Sequence, residues 1–265
     1  MRNVPNILTL HEVYTTKNNT YIITELCEGD LSRKIKSKLT ESEAYSYMTQ
    51  FINGYSHIYE KQLIHRDLKP ANLLLTAENE LKVADFGFGV KAEEVAKPSK
   101  YNVGSPLYMA PESLKKNEYS FKTDIWAMGV IFFEMLTGDT PWRARDEKEL
   151  LKKIEAERIE QILTKKDFSP LSKEFLLRTL HQDKAMRLDP SELLRFNFQT
   201  PSSILSEQKL NSTMKSGKFL SIMEKALSPK NLLVNRSVEK KIFRHDYSDQ
   251  KLQTLNKILN HCSVR

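Results

Sequence analysis

Residues 123–137 read Thr-Asp-Ile-Trp-Ala-Met-Gly-Val-Ile-Phe-Phe-Glu-Met-Leu-Thr and stop at Gly138. Apolar side chains fall on nearly every side of a helical repeat, so a helix here must be covered all round. The stretch is too short to cross a bilayer, which takes about 20 apolar residues. No run of eighteen apolar residues occurs anywhere in the chain. The cover therefore has to come from protein. A chain of 265 residues that is 40% hydrophobic can supply it from one large domain or one and a half.

The elements around that helix announce themselves by pattern. Two β-rich runs, 7–15 and 20–25, flank Lys17-Asn18-Asn19 and predict a hairpin. Thr40-Glu41-Ser42-Glu43 is a capping box. Ala44, Tyr47, Met48, Phe51, Ile52, Tyr55, Ile58 and Tyr59 follow at helical spacing, which predicts an amphipathic helix over 40–61. Segments 72–75 and 81–84 predict a second small hairpin around 76–80, and weaker helical patterns cover 146–160, 171–181 and 190–196. The body is mostly helical with a little sheet and has no internal repeat. After about Phe198 the composition turns to Ser, Asn and Lys, with helical stretches near 214–227 and 238–262. These read as an amphipathic extension that docks on a partner or on the body; a disordered tail is the alternative.

The charge is unevenly spread. Residues 1–200 carry 29 basic and 29 acidic side chains, whereas residues 201–265 carry 12 and 5, the whole formal excess of +7. The tail is either a solvated lysine-rich extension or a contact for an acidic partner or anionic lipid, with nucleic acid the least favoured. Cys27 and Cys262 are the only cysteines, which fits a reduced, cytoplasmic setting without structural disulfides. The N-terminus has no signal-peptide pattern, and the six histidines have no metal-ligand spacing.

Three segments carry chemistry. Residues 65–72 read His-Arg-Asp-Leu-Lys-Pro-Ala-Asn, and Asp85-Phe86-Gly87 begins thirteen positions after Asn72. Gly-Ser-Pro-Leu-Tyr-Met-Ala-Pro-Glu fills 104–112. In this order and spacing they resemble the catalytic loop, metal-binding turn and activation-segment anchor of the eukaryotic protein kinases, serine/threonine type. The third segment is similar to that of the autophagy-initiating kinases. The resemblance covers about residues 4–198. It implies an α+β fold of the protein kinase kind: a complete, mainly helical C-lobe, only the last strands of the N-lobe, and a basic C-terminal tail. The implied divisions are 1–29 for the residual strands and hinge, 30–198 for the C-lobe, and 199–265 for the tail.

The resemblance also implies roles, with ATP and Mg2+ as cofactors and a protein Ser/Thr hydroxyl as acceptor. Asp67 orients that hydroxyl and takes its proton; Lys69 sits near the transferring phosphoryl group; Asn72 and Asp85 offer hard oxygen ligands for magnesium. In the hinge, Thr24 is the gatekeeper, main-chain groups of Glu25 and Cys27 meet the adenine edge, Asp30 reaches the ribose and Leu74 lies under the base. His65 and Phe86 stack in a hydrophobic spine, with Leu10 a third member. Asp124 holds the catalytic-loop backbone, since a buried carboxylate needs partners. Glu112 and Arg187 form a structural ion pair. Arg66 can pair with a phosphate on the activation segment, where Ser99 and Tyr101 are available. Ser105 is expected on Asp67 and Lys69.

Some of the family's parts are not found. No glycine precedes Gly29, and the first lysine, Lys17, falls in a turn, so neither the glycine-rich loop, the strand lysine nor the helix glutamate that pairs with it is present. The expectation is a fragment of a larger kinase. The alternatives are a non-catalytic, pseudokinase-like scaffold, or a chain whose missing strands come from a partner. Loss of the phosphate-positioning lysine is of a kind worth roughly ten- to a thousandfold in rate, so weak activity is expected of the chain alone.

Overall fold

The computed structural model describes residues 4–96 and 103–198; Ser99, Tyr101 and the stretches 214–227 and 238–262 lie outside them. The first predicted hairpin forms as β1 (Leu10–Thr15) and β2 (Thr20–Thr24), paired antiparallel. The Thr16 amide donates to the Asn19 carbonyl (2.8 Å) across the turn. The strand is shorter than the run 7–15 because residues 6–8 are drawn to the body instead. Asn6 is left-handed (φ 58°), a conformation its short amide tolerates. Its carbonyl accepts from the Val83 amide (2.9 Å), and the Leu8 amide donates to the Val83 carbonyl (3.0 Å). The Asn6 side chain donates to Leu81 O (2.9 Å) and accepts from Asn53 Nδ2 (2.7 Å). The base of the hairpin is thereby stitched to the body.

Beyond the hinge, β3 (Gly29–Asp30) leads into α1 (Leu31–Ile35), and α2 (Glu41–Glu60) follows. The capping box that predicted α2 is formed: Thr40 Oγ1 accepts from the Glu43 amide (3.3 Å), and Glu43 Oε2 accepts from the Thr40 amide (2.9 Å). The Thr40 hydroxyl, which donates to Glu43 Oε2 (2.7 Å), and then the Thr40 amide hold the Glu43 carboxyl below its usual range. Next come β4 (Leu63–Ile64), β5 (Leu73–Leu75), β6 (Leu81–Val83) and β7 (Val90–Lys91). Strands β3, β5 and β6 form a three-stranded antiparallel sheet in that order, and β4 pairs with β7. The helical part is α3 (Pro111–Lys116), α4 (Phe121–Thr137), α5 (Glu147–Ala156), α6 (Ile159–Leu163), α7 (Pro170–Thr179) and α8 (Pro190–Leu193). The pattern over 146–160 thus resolves into two helices, broken where Glu157 and Arg158 turn extended.

Helix α4 is the covered helix the composition demanded. Every residue from Thr123 to Phe133 is buried, and Gly138 ends the helix at φ 77° with its amide on the Glu134 carbonyl (2.8 Å). Trp126 stacks on Trp142 (centroids 5.4 Å), and Phe132 meets the edge of Phe175 (5.2 Å). Glycine is required at 129 because α7 comes too close: a Cβ there would lie 2.5 Å from Thr179 Oγ1 and 2.9 Å from the Leu180 side chain. Overpacking of that kind costs about 1–3 kcal/mol, against about 1 kcal/mol of helix propensity gained by alanine. Gly129→Ala should therefore lower stability by about 1 kcal/mol net, read as a reduced midpoint in urea; an unchanged or raised midpoint would show that α4 and α7 can separate freely.

Candidate active site

The loop between β4 and β5 is held from below by the first turn of α4. Asp124 is buried, and its carboxylate accepts the His65 amide (2.8 Å), the Arg66 amide (3.0 Å) and the Tyr55 hydroxyl (3.3 Å). Burial pushes the Asp124 carboxyl above its ordinary range, and those donors pull the other way. The same burial raises the Tyr55 hydroxyl and, with the Asp124 charge beside it, keeps it a donor. Fixing two consecutive amides lets Arg66 adopt a left-handed conformation (φ 68°), which turns Asp67 into the cleft. Arg66 itself is anchored through Nε to the Phe88 carbonyl (2.6 Å).

Asp67 then lies in a closed set of bonds. Lys69 Nζ donates to its Oδ2 (2.8 Å) and to Ser105 Oγ (2.9 Å), and Ser105 Oγ donates to Asp67 Oδ1 (3.0 Å). Asn72 Nδ2 donates to the Asp67 carbonyl (2.7 Å) and to Oδ2 (3.2 Å). That leaves Asn72 Oδ1 turned to other uses. The imidazole of His65 bonds through Nε2 to the Ala84 carbonyl (3.1 Å), and its ring contacts Phe86 (centroids 5.1 Å). Asp85 stands at φ 60° with Oδ1 accepting the Gly87 amide (3.2 Å). The donor set suits magnesium: amide and carboxylate oxygens, hard and few, of the kind that complete a shell with water and phosphate oxygens. Among the described residues no group of three or more His, Cys, Asp or Glu side chains is placed to hold a metal ion.

The far end of the segment is tied down by Glu112 and Arg187. Arg187 NH1 and NH2 donate to Glu112 Oε1 (2.6 Å) and Oε2 (3.0 Å), and the guanidinium lies over the Trp126 ring (5.0 Å). The Arg187 side chain is fully buried. Removing one member of such a pair strands the other charge, typically at about 3–5 kcal/mol. Arg187→Met should therefore lose stability of that order in denaturant titration, more than Glu112→Gln, which leaves a hydrogen-bonding partner; equal and small losses would mean the pair is solvated.

In the hinge, Thr24 closes β2 opposite Leu10, and its hydroxyl donates to the Glu25 carbonyl (3.2 Å). Leu10, expected in the spine, is half-buried in that strand pair. The Cys27 amide has no hydrogen-bond partner among the described residues, so it is free to meet a ligand. Asp30 caps α1, its Oδ1 accepting the Ser32 amide (2.9 Å) and the Ser32 hydroxyl. Leu74 is half-buried opposite Asp30 and Lys82.

Two functional neighbours had no motif. Lys82 is buried between Glu80 (3.0 Å) and Glu25 (3.7 Å), while Glu25 Oε1 also accepts the Thr9 amide (2.6 Å). The hinge glutamate thus ties the hairpin to the body. Its only sequence trace is a lysine inside the otherwise apolar run 81–84. Tyr119, whose hydroxyl accepts the Val103 amide, left no trace. Half-burial and the Glu25 charge push the Cys27 thiol up to about 11. At pH 8 the thiolate fraction is then on the order of a hundredfold below that of a free cysteine. Iodoacetamide labelling of the Cys27 peptide, followed by mass spectrometry, should be correspondingly slow and still rising at pH 10; free-thiol rates at pH 8 would contradict this.

A loop carboxylate, a lysine two residues on, an asparagine five residues on and a second carboxylate at the Asp85 turn are the group types that phosphoryl transfer uses. Residues 1–199 match the family model described as "Protein kinase domain". The chain belongs to the protein kinase family. Among its relatives is the serine/threonine-protein kinase atg1 of Dictyostelium discoideum, 39% identical over 163 residues, covering 58% of this chain and 24% of that protein. The serine/threonine-protein kinase ULK3 of Mus musculus is 36% identical over 191 residues, covering 69% of this chain and 40% of its own length. The serine/threonine-protein kinase polo of Drosophila melanogaster is 36% identical over 156 residues, covering 57% and 27%. The chain therefore spans between about a quarter and two fifths of these relatives' length. Among the described residues no helix is long and apolar enough to cross a membrane.

Proposed function

We propose that this chain carries the catalytic half of a serine/threonine protein kinase site, which transfers the γ-phosphoryl group of ATP to a protein hydroxyl. The single observation that supports this most is the bond set around Asp67. Its Oδ1 already accepts a hydroxyl, that of Ser105, at 3.0 Å. A substrate Ser or Thr hydroxyl placed alongside would meet the same carboxylate, which orients the attacking oxygen and accepts its proton. Lys69 Nζ, 2.8 Å from Oδ2, contributes positive charge on the side where negative charge spreads in the transition state. Most of the rate in such chemistry comes from alignment and charge neutralisation.

Asn72 and Asp85 would hold Mg2+, which supplies neutralisation of the phosphate charge when bound. The unpartnered Cys27 amide and the Glu25 carbonyl would take the adenine edge over Leu74, and the Asp30 carboxylate would approach the ribose. The divisions 1–29, 30–198 and 199–265, and a cytoplasmic setting, belong to the same reading. So does Arg66 as receiver for a phosphate at Ser99.

Purified protein should gain thermal stability with Mg2+ and ATP, by a shift that Asp85→Ala removes. Peptide phosphorylation should fall by at least about a thousandfold in Asp67→Asn, of the size expected when a positioned carboxylate and its proton acceptance are both lost. A folded chain with no shift and no transfer would favour a non-catalytic scaffold.

A further inference from the structure

Tyr119 lies just before Ser120, the N-cap of α4, and is 8% exposed. Its hydroxyl accepts the Val103 amide (2.9 Å) and donates to the Val103 carbonyl (3.0 Å). One side chain thus satisfies both main-chain polar groups of Val103, a residue outside any helix or strand. Burial raises the hydroxyl's pKa, so it stays protonated and able to donate at neutral pH.

The link from Val103 to the catalytic carboxylate is short and stiff. Gly104 follows at φ 106°, and a Cβ there would lie 2.4 Å from the Arg66 carbonyl. The next residue is Ser105, whose hydroxyl reaches Asp67 and Lys69. On its other side, the Tyr119 ring carries the Arg66 guanidinium at 5.5 Å, one residue before Asp67. Hydroxyl and ring therefore touch the two chain segments that meet at Asp67. Among the described residues Asn72, Asp85 and the hinge make no direct hydrogen bond to Val103 or Ser105; Asn72 and the Asp85 turn connect to them through Asp67 and Arg66.

We infer that Tyr119 is a positioning residue for the protein acceptor: its hydroxyl fixes Val103 and so holds Ser105 and the turn after it in register with Asp67. The inference rests on the kinase reading for its catalytic consequence and on geometry alone for the anchoring. It predicts the larger effect on the acceptor side, because the clamp reaches Asp67 directly through Ser105 and reaches Asn72 and the Asp85 turn only at one remove.

The test compares the full chain with Tyr119→Phe, which keeps the ring under Arg66 and removes only the hydroxyl. Amide hydrogen exchange over 103–105 should speed up about fivefold or more once two hydrogen bonds are lost. If the parent is active, kcat/KM for a peptide acceptor should fall roughly three- to tenfold with KM for Mg-ATP within about twofold of the parent. Tyr119→Leu, lacking the ring as well, should fall further. Unchanged exchange at 103–105 would overturn the anchoring. A loss shared equally by peptide and ATP parameters would overturn the acceptor-specific role. A parent that neither binds Mg-ATP nor transfers phosphate counts against the kinase reading, and the exchange result still decides whether Tyr119 holds the segment.

Discussion

The site depends on one buried carboxylate. Asp124 gives up water on the first turn of α4 and recovers it as bonds from the His65 and Arg66 amides and the Tyr55 hydroxyl. A charge so placed is costly unless it is paired or hydrogen-bonded, so the loop and the helix settle each other's positions. Among the described residues the two loop amides have no strand or helix partner, and the carboxylate has no lysine or arginine side chain in hydrogen-bonding contact. Because both needs are met at once, Arg66 can be held left-handed and Asp67 can be presented without further support from the sheet.

Around that point the segment 103–112 is fastened at four places, one of them the Tyr108 hydroxyl, which donates to Glu134 Oε2 (2.8 Å). Tyr119 uses neutral hydrogen bonds to Val103. Ser105 joins the charged set of Asp67 and Lys69. Glu112 ends the segment in a bidentate pair with Arg187, whose guanidinium is further covered by Trp126. The Glu112–Arg187 pair is the deepest of these, and stranding one of its charges is the most costly loss. On the opposite side of the cleft, Glu25 and Lys82 tie hinge to body in a similar way.

Local pattern made the longer elements legible. The capping box at Thr40, the turn around Asn18 and the apolar stretch ending at Gly138 each declare a helix or hairpin through neighbours a few residues apart, and each formed where expected. The short elements did not announce themselves. Strands β3, β4 and β7 have two residues apiece, and two residues carry no period. They exist because partners distant in the chain present free amides and carbonyls. Helices α1 and α3, of five and six residues, are equally dependent on context. The strand beginning at Leu10 instead of residue 7 has the same origin: Asn6 and Leu8 found Val83 a better partner.

For the site, the sequence by itself determined which groups are available: a carboxylate, lysine and asparagine at fixed offsets in one loop, a second carboxylate thirteen residues beyond, and a resemblance strong enough to name their family. It also determined that α4 would be buried, since nothing but protein could cover it. The resemblance further led to the expectation that Ser105 meets Asp67, but only the tertiary structure decided that Lys82 is buried beneath the hinge and that Tyr119 grips Val103. Those contacts join residues 16 to 57 positions apart. Spacing along a chain fixes geometry within a turn or a helix, but contacts across such distances are set by how whole elements pack.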